Sequence, residues 1–356
     1  MKNNSKNHFD KISLSGERYI LIGGAGFIGH HLALNLKKYG AEVLVVDDMQ
    51  VNNIVHILTS KDIDEFKRKL YLKFIFERIE LLRENSIDIK NIDARDLINM
   101  QQIFSDFQPT KAIHLAAVSS AIDANKAPNQ AYDIQINSLR NLLSLCTIKN
   151  STCNHVTFMS SSTVYGDFEK EIVDERIRPK PRGVYANGKY IGERMVREAK
   201  SLHGLNYTII RPSALYGIRC VSGRVSQKFI ENALEGKPLR LEGGGNGMLD
   251  FTHIDDLVEG IIRGTSLKNG IDRTFNITFG NARKIIDLAS IIKEVIPNVR
   301  LEITPLEPQK PVRGTLSVEK SKELLGFFPK KTIDEAYKDY CVWYLKEWEN
   351  LKKNFK

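Results

Sequence analysis

The sequence predicts an α/β fold, a doubly wound parallel sheet followed by a smaller, mixed α/β C-terminal subdomain. Short apolar runs alternate with helical patterns from Arg18 to Arg211, which is typical of parallel sheets. The first apolar run leads into a glycine-rich turn that opens a helix. Beyond Arg211 the alternation weakens into glycine- and proline-containing stretches. We therefore expect a Rossmann-type domain first and a substrate-binding subdomain after it.

Length and composition exclude several other classes of protein. The chain has 356 residues, of which 42% are hydrophobic and 27% charged, as in globular proteins. The net charge of +9 suits anionic partners, although a lysine-rich surface explains it equally well. The four cysteines show no C-x-x-C spacing and no apolar stretch reaches the roughly 20 residues of a membrane span. We expect a cytoplasmic protein with no bound metal and no membrane or nucleic-acid partner.

The segment from residue 18 to residue 48 forms the predicted nucleotide-binding unit. A strand at Tyr19–Ile22 leads into the turn GGAGFIG at Gly23–Gly29, a helix follows, and a second strand at Val43–Val46 ends at Asp47 and Asp48. Glycines at this spacing allow a tight turn and a close approach of a pyrophosphate to backbone N–H groups. A carboxylate at Asp47 would accept hydrogen bonds from the adenosine ribose and repel a 2′-phosphate, which favours NAD over NADP.

The remaining elements and domain boundaries follow from the same patterns. Further strands are predicted at Ile87–Ile92, Ala112–Ala116, Val156–Ser160 and Tyr207–Arg211, and helices at Leu97–Phe107, Asn129–Ile148 and Tyr185–His203. Residues 1–17 form a loosely ordered extension, 18–212 the nucleotide-binding domain, and 213–349 mainly the substrate subdomain, with 251–280 returning to the first domain.

An insertion at about residues 50–86 interrupts the nucleotide-binding domain. Apolar residues recur there at helical spacing among many Lys, Arg and Glu residues. We interpret the insertion as an amphipathic helix with a solvated face; a cover over the cofactor cleft and an oligomer contact are the alternatives. His30 and His31 follow the glycine turn directly, and we assign them no chemistry.

Two further patterns predict a proton-transfer site. Tyr185 and Lys189 lie one helical turn apart on the same face, and a nearby ammonium lowers the pKa of a phenol towards values useful to a base. The hydroxyls of Ser160–Thr163 follow a strand, at the edge where such sheets bind ligands. In isolation, a packed tyrosine would explain the first pattern and a serine-rich turn would explain the second. Together with the glycine turn, they occur in the order that one active site needs.

These motifs resemble the NAD-dependent epimerase/dehydratase family, extended short-chain dehydrogenases/reductases that act on nucleotide-diphosphate sugars. The resemblance extends from about Arg18 to Tyr344. It is carried by GGAGFIG, DARD (93–96), HLAA (114–117), SSSTVYG (160–166), YANGK (185–189), RPSALYG (211–217), LDFTHIDD (249–256), FNITFG (275–280) and RGTLSVEKSKELLGFFP (313–329).

The resemblance implies a role for each matching residue. Tyr185 would be the catalytic base, Lys189 its ribose-binding partner and Ser161 the hydrogen-bond partner of the reacting hydroxyl. NAD would be bound by Gly23, Gly26, Phe27, Ile28, Gly29, Asp47, Asp48, Asp93, Ala94, Leu115, Ala116, Ala117, Tyr185 and Lys189. The substrate, a nucleotide-diphosphate sugar with UDP favoured, would be bound by Ser119, Ser161, Ser162, Thr163, Arg224 and Arg313. Family members dimerise through the helices at 129–148 and 185–203, which implies a homodimer.

Departures from the family pattern narrow the choice among the reactions that the family catalyses. Dehydratases carry Thr-Asp-Glu where this chain has Ser161-Ser162-Thr163, and decarboxylases usually keep the glutamate. Ala214 and Leu249 lack familiar diphosphate contacts, for which Arg219, Arg224 or Arg240 would substitute, and Gln135 and Gly188 stand where Asn and Ser are common.

We predict an NAD-dependent nucleotide-sugar epimerase that inverts C4 through a 4-keto intermediate. A 4-keto-sugar reductase and a uronic-acid decarboxylase on the same scaffold are the alternatives. A non-catalytic NAD-binding regulator is a remote one.

Overall fold

A seven-stranded parallel sheet forms the centre of the protein. The computed structural model describes residues 12–118, 121–306 and 311–354. The strands are β1 (Arg18–Ile22), β2 (Glu42–Val46), β3 (Asp88–Lys90), β4 (Lys111–His114), β5 (His155–Met159), β6 (Ile172–Val173), β7 (Asn206–Arg211), β8 (Ala214–Tyr216), β9 (Leu239–Glu242), β10 (Met248–Leu249), β11 (Phe251–His253), β12 (Arg273–Asn276), β13 (Arg283–Lys284), β14 (Leu301–Thr304) and β15 (Thr315–Leu316). The sheet order is β12-β7-β5-β4-β1-β2-β3, so the predicted doubly wound topology is confirmed.

Helices cover both faces of the sheet. They are α1 (Phe27–Lys38), α2 (Ile54–Thr59), α3 (Glu65–Glu84), α4 (Leu97–Phe107), α5 (Ala121–Lys126), α6 (Pro128–Tyr132), α7 (Ser138–Thr147), α8 (Gly183–His203), α9 (Val225–Leu234), α10 (Ile254–Ser266), α11 (Ile285–Val295), α12 (Glu319–Leu325) and α13 (Ile333–Asn354). No helix among the described residues is long and apolar enough to cross a membrane.

The alternation of side chains along β1 shows why two helical layers are needed. Tyr19 and Leu21 belong to a core shared with α1 and α10, whereas Ile20 and Ile22 belong to a second core with α4, α7 and α8. Both faces of the strand are therefore apolar and buried, as in parallel sheets covered on both sides.

Two elements differ from their sequence-based prediction. The helix expected at 129–148 is divided into α6, a π-helical turn at Asp133–Asn137, and α7, and a π turn inserts a residue that hydrophobic periodicity does not reveal. Residues 12–17 pack on the domain, since Leu14 is buried and its N–H donates to the Tyr39 carbonyl at 2.9 Å. The first eleven residues lie outside the described part of the chain.

The insertion at 50–86 forms α2 and α3, and it packs on the C-terminal part of the protein. Leu70, Phe74 and Ile75 of α3 share a core with α9, α11 and α13. Arg68 anchors the connection between the two helices, with Nη2 donating to the carbonyls of Ser60 and Ile63 at 2.9 Å each. One face of α3 is thus part of the core, and its charged opposite face meets solvent.

A buried carboxylate joins three helices in this C-terminal part. Glu231 Oε1 of α9 accepts hydrogen bonds from Tyr71 Oη of α3 (2.7 Å), Gln227 Nε2 (2.8 Å) and Tyr344 Oη of α13 (2.5 Å). Tyr340, one turn earlier on α13, is equally buried, but its hydroxyl has no partner among the described residues.

Replacing Tyr344 with Phe should lower the free energy of unfolding by about 1–3 kcal/mol, because it removes a hydrogen bond to a charged group. Tyr340→Phe is the matched control and should leave the stability unchanged or raise it, because it removes a buried hydroxyl without a partner. Urea unfolding followed by circular dichroism measures both. Equal losses in the two variants would contradict the network described above.

Candidate active site

The glycine turn between β1 and α1 adopts a conformation that only glycine permits. Gly23 has a φ of +80°, and a Cβ there would lie 2.8 Å from the backbone nitrogen of Ala116. A Cβ on Gly29 would collide with the backbone of Gly24. The turn therefore packs closely against the end of β4, and Gly26 and Phe27 face the cleft beside it.

A cleft lies over the aligned carboxyl ends of β1, β2 and β4, where Ile22 pairs with Val46 and His114. Most of the predicted cofactor residues line it, namely Gly23, Gly26, Phe27, Ile28, Gly29, Asp47, Asp48, Asp93, Ala94, Leu115, Ala116 and Ala117. The cleft is also lined by Leu215, Val221, Ser222 and Arg224. A backbone cradle at one end, apolar walls and carboxylates near β2 fit a dinucleotide.

Asp47 does more than the sequence suggested. Its Oδ2 accepts the N–H of Ala25 at 2.9 Å and its Oδ1 accepts the N–H of Met49 at 2.8 Å. Burial raises its pKa to about 6, although both N–H donors lower it. The carboxylate therefore ties the end of β2 to the glycine turn, in addition to any contact with a ribose.

The three predicted catalytic side chains meet at the carboxyl end of β5. Ser161 Oγ accepts hydrogen bonds from the N–H (3.2 Å) and the hydroxyl (3.0 Å) of Thr163, and Ser161 lies close enough to Tyr185 to lower the pKa of its phenol. Lys189 is buried, with its Nζ donating to the Met159 carbonyl at 2.7 Å and lying 5.9 Å from the centre of the Tyr185 ring.

Burial and nearby polar groups act in opposite directions on the pKa of Tyr185. Burial has the larger effect and raises this pKa above its ordinary value, although the charge of Arg224, the Ser161 hydroxyl and the charge of Arg313 lower it. The sequence analysis assigned this effect to Lys189, but burial lowers the pKa of Lys189 itself to about 7. In the structure, the cations that act on the phenol are the arginines expected to bind substrate.

The remaining predicted substrate residues are dispersed around this point. Arg313 Nη1 donates to the Ser162 carbonyl at 3.0 Å, and its guanidinium lies 5.4 Å from the centre of the Phe168 ring. Ser162 is itself buried, with its N–H donating to the Pro212 carbonyl at 2.8 Å. Ser119 lies outside the described residues.

A buried ion pair that no sequence motif predicted joins α8 to the end of β7. Glu193, on α8, accepts two hydrogen bonds from Arg211, at 2.7 and 2.6 Å. It also accepts the hydroxyl of Ser160 at 2.6 Å. Glu193 lies eight residues after Tyr185, about two turns along α8. A glutamate at a position where helical spacing predicts burial was the signal in the sequence that could have revealed this pair.

Comparison with known proteins places the chain in a family. Residues 19–278 match the profile described as the NAD dependent epimerase/dehydratase family. The chain belongs to this family. The predicted family and its cofactor, NAD, are therefore confirmed, and members of the family are NAD-dependent enzymes that act on nucleotide sugars.

Relatives with different reactions resemble the chain. UDP-glucuronic acid decarboxylase 6 of Arabidopsis thaliana is 29% identical over 337 residues, covering 92% of this chain and 88% of the relative. The structure of Thermotoga maritima UDP-glucose 4-epimerase with UDP-glucose has a TM-score of 0.78 at 25% identity, covering 92% of this chain and 99% of the other.

The structure of Bacillus cereus UDP-glucuronic acid 4-epimerase with UDP-glucuronic acid and NAD has a TM-score of 0.78 at 24% identity, covering 95% of this chain and 100% of the other. At this identity the likeness shows the fold. The reaction must therefore be argued from the site.

Replacing Glu193 with Gln should lower the free energy of unfolding at pH 7 by about 3–5 kcal/mol, because it leaves the Arg211 guanidinium buried without a counter-charge. Arg211 and Ser160 hold the pKa of Glu193 below its ordinary value. Its contribution is therefore complete above its unfolded-state pKa of about 4.5 and is lost as the pH falls through the lower folded-state pKa.

The stability difference between wild type and Glu193→Gln should thus shrink in acid, as measured by urea unfolding from pH 7 to pH 3. Glu198→Gln, at an exposed position on the same helix, is the control and should change little. A constant difference across this pH range would refute the ion-pair explanation.

Proposed function

We propose that this protein is an NAD-dependent nucleotide-sugar epimerase that inverts C4 through a 4-keto intermediate. The observation that carries this proposal is the approach of Tyr185 on α8 to Ser161, which is hydrogen-bonded to Thr163 at the carboxyl end of β5. The turn that holds Ser161 presents hydroxyls at 161–163, whereas elimination of water from the sugar would need a carboxylic acid and a carboxylate there.

The hydrogen bonds that Ser161 accepts from Thr163 determine where Ser161 can donate its own hydroxyl proton. Ser161 Oγ accepts two hydrogen bonds from Thr163, so its own hydroxyl proton is available to the Tyr185 oxygen and would favour the phenolate. The phenolate can then take the proton of the sugar 4-hydroxyl and return it later in the cycle. NAD, when bound, supplies the oxidation and re-reduction at C4.

Positive charge near Tyr185 offsets part of the effect of burial on the pKa of its phenol. Arg224 and Arg313 both lower the pKa of Tyr185 against the effect of burial. Lys189, whose Nζ lies near the Tyr185 ring, would hold the nicotinamide ribose as the family pattern implies. These roles stay predictions.

The same arginines suit a nucleotide diphosphate as substrate. Guanidinium groups make strong, bidentate hydrogen bonds to phosphate, and Arg224 lies on the cleft wall at the start of α9. UDP-linked sugars are favoured because the T. maritima relative binds UDP-glucose.

A UDP-uronic acid decarboxylase is the second candidate. The A. thaliana relative is named for that reaction, and two cations beside Tyr185 would also attract a sugar carboxylate. Decarboxylation releases CO2, whereas epimerisation keeps the mass, so one experiment separates the two.

Incubating the purified protein, without added cofactor, with UDP-linked hexoses, N-acetylhexosamines and hexuronic acids should interconvert one pair of C4 epimers at constant mass. Proton NMR and mass spectrometry of the sugar nucleotides measure this. Loss of CO2 would establish the decarboxylase, and turnover only with added NADH and a keto sugar would establish a reductase.

Tyr185→Phe should reduce this turnover by at least about a hundredfold, because it removes the acid–base group. Tyr190→Phe, on the same helix, is the control and should keep most of the activity. Full turnover in Tyr185→Phe would exclude the proposed mechanism.

Replacing Arg224 with Gln should move the acidic limb of the kcat/KM profile to higher pH, because the phenol loses a charge that lowers its pKa. Initial rates from pH 5.5 to pH 10 measure the shift. Lys228→Gln removes an exposed positive charge one turn along α9 and should leave the profile in place. An unmoved limb in Arg224→Gln, with only KM raised, would limit Arg224 to substrate binding.

A further inference from the structure

The insertion helix α3 buries a charge that stability alone does not explain. Arg78 is 0% exposed, and its Nε (3.0 Å) and Nη2 both donate to the carbonyl of Arg219. Its Nη1 has no partner among the described residues. A buried guanidinium without a paired carboxylate carries a desolvation cost of several kcal/mol, so a function for Arg78 should be sought where its contacts lead.

Those contacts lead to the glycine turn. Arg219 has a left-handed φ of +60°, and its Nε donates to His30 Nε2 at 3.2 Å. His30 Nδ1 lies 2.9 Å from the carbonyl oxygen of Gly26. A carbonyl only accepts, so Nδ1 carries the proton and Nε2 is free to accept from Arg219.

The surroundings of His30 keep its ring neutral, as this tautomer requires. Burial together with His31, Arg78 and Arg219 lowers the pKa of His30 well below its ordinary value, so the ring is neutral. The neighbouring ring of His31 holds the same loop, with Nε2 lying 3.3 Å from the Ile218 carbonyl. The two histidines that the sequence left without a role therefore connect α1 to the segment after β8.

A second connection runs from α3 to the far end of that segment. Tyr71 of α3 donates to Glu231, which accepts from Gln227 as well. Gln227 Oε1 in turn accepts the N–H groups of Ser222 (2.9 Å) and Gly223 (3.2 Å). Residues 218–224, the cofactor loop, are therefore held by α3 at both ends.

The cofactor loop and the glycine turn both line one cleft. Val221, Ser222 and Arg224 line the cleft from the loop, and Gly26 and Phe27 line it from the turn. A helix outside the cleft thus fixes the separation of its two walls through buried hydrogen bonds.

We propose that α3 is a brace that retains NAD, and that Arg78 is the residue that positions the cofactor loop against the glycine turn. The proposal rests on the NAD site of the proposed function and adds a reason for the insertion. An epimerase regenerates its cofactor in every cycle, so a cofactor that never leaves is an advantage, and preorganised walls slow its release.

The test is the NAD content and NAD affinity of full-length variants in the absence of any sugar. NAD that stays with the protein through gel filtration is released by acid and quantified by chromatography. Dissociation constants are measured by calorimetry on cofactor-free protein, together with its thermal midpoint.

Arg78→Met should weaken NAD binding by about tenfold or more while leaving the thermal midpoint of the cofactor-free protein unchanged or higher, because replacing a buried charge by an apolar side chain is often neutral or stabilising. Arg78→Lys keeps the positive charge and one donor nitrogen, so its NAD affinity should lie between those of the wild type and Arg78→Met. Tyr71→Phe should weaken binding by about threefold, since it loosens only the second connection. Arg83→Gln, which removes an exposed charge on the same helix, should bind NAD as the wild type does.

Unchanged NAD content and affinity in Arg78→Met would overturn the proposal, as would an equal loss in Arg83→Gln. A less stable Arg78→Met protein with normal NAD binding would make Arg78 merely structural and would also overturn it. If Arg78→Met does not fold, the NAD affinities of Arg78→Lys and Tyr71→Phe test the proposal instead. Wild-type affinity in both variants would overturn it. Because no sugar is present, a wrong assignment of the reaction does not change these outcomes.

Discussion

The buried pair of Glu193 and Arg211 is the interaction on which the geometry of the proposed active site depends. β5 and β7 are neighbours, and Ser160 and Arg211 lie at their adjoining carboxyl ends, where the Ser160 N–H donates to the Ile210 carbonyl. Glu193 reaches both from α8, the helix that carries Tyr185 and Lys189. One carboxylate therefore fixes the distance between α8, which carries Tyr185, and the end of β5, which is followed by Ser161.

The cofactor side of the cleft depends on polar groups that are buried in the same way. Asp47 accepts N–H groups from the glycine turn and from the segment after β2, and Arg78 holds the cofactor loop. Buried polar groups are costly unless they are paired, and they also specify one arrangement more sharply than apolar contacts do. The buried polar groups of the cofactor side thus lie where the glycine turn and the cofactor loop must keep a fixed spacing.

The insertion shows how a segment outside the family pattern becomes part of the site. Its apolar face joins the core of α9, α11 and α13, so it packs as a structural helix and does not move freely over the cleft. Two polar side chains of α3, Tyr71 and Arg78, make the connections described above. The same helix therefore joins the C-terminal part to the nucleotide-binding domain and restrains the cofactor loop.

The sequence by itself determined the sheet, its order of elements and the cofactor, because periodicity and the glycine turn are local signals that one stretch of chain carries. It also placed Ser161, Tyr185 and Lys189 in one site, since the carboxyl ends of parallel strands meet at one edge. Only the tertiary structure decided which charges act on Tyr185, since Arg224 and Arg313 come from segments distant in sequence from it. It likewise decided the partners of Asp47, Arg78, His30 and Glu193, because hydrogen bonds between residues far apart in the chain leave no spacing for a sequence pattern to show.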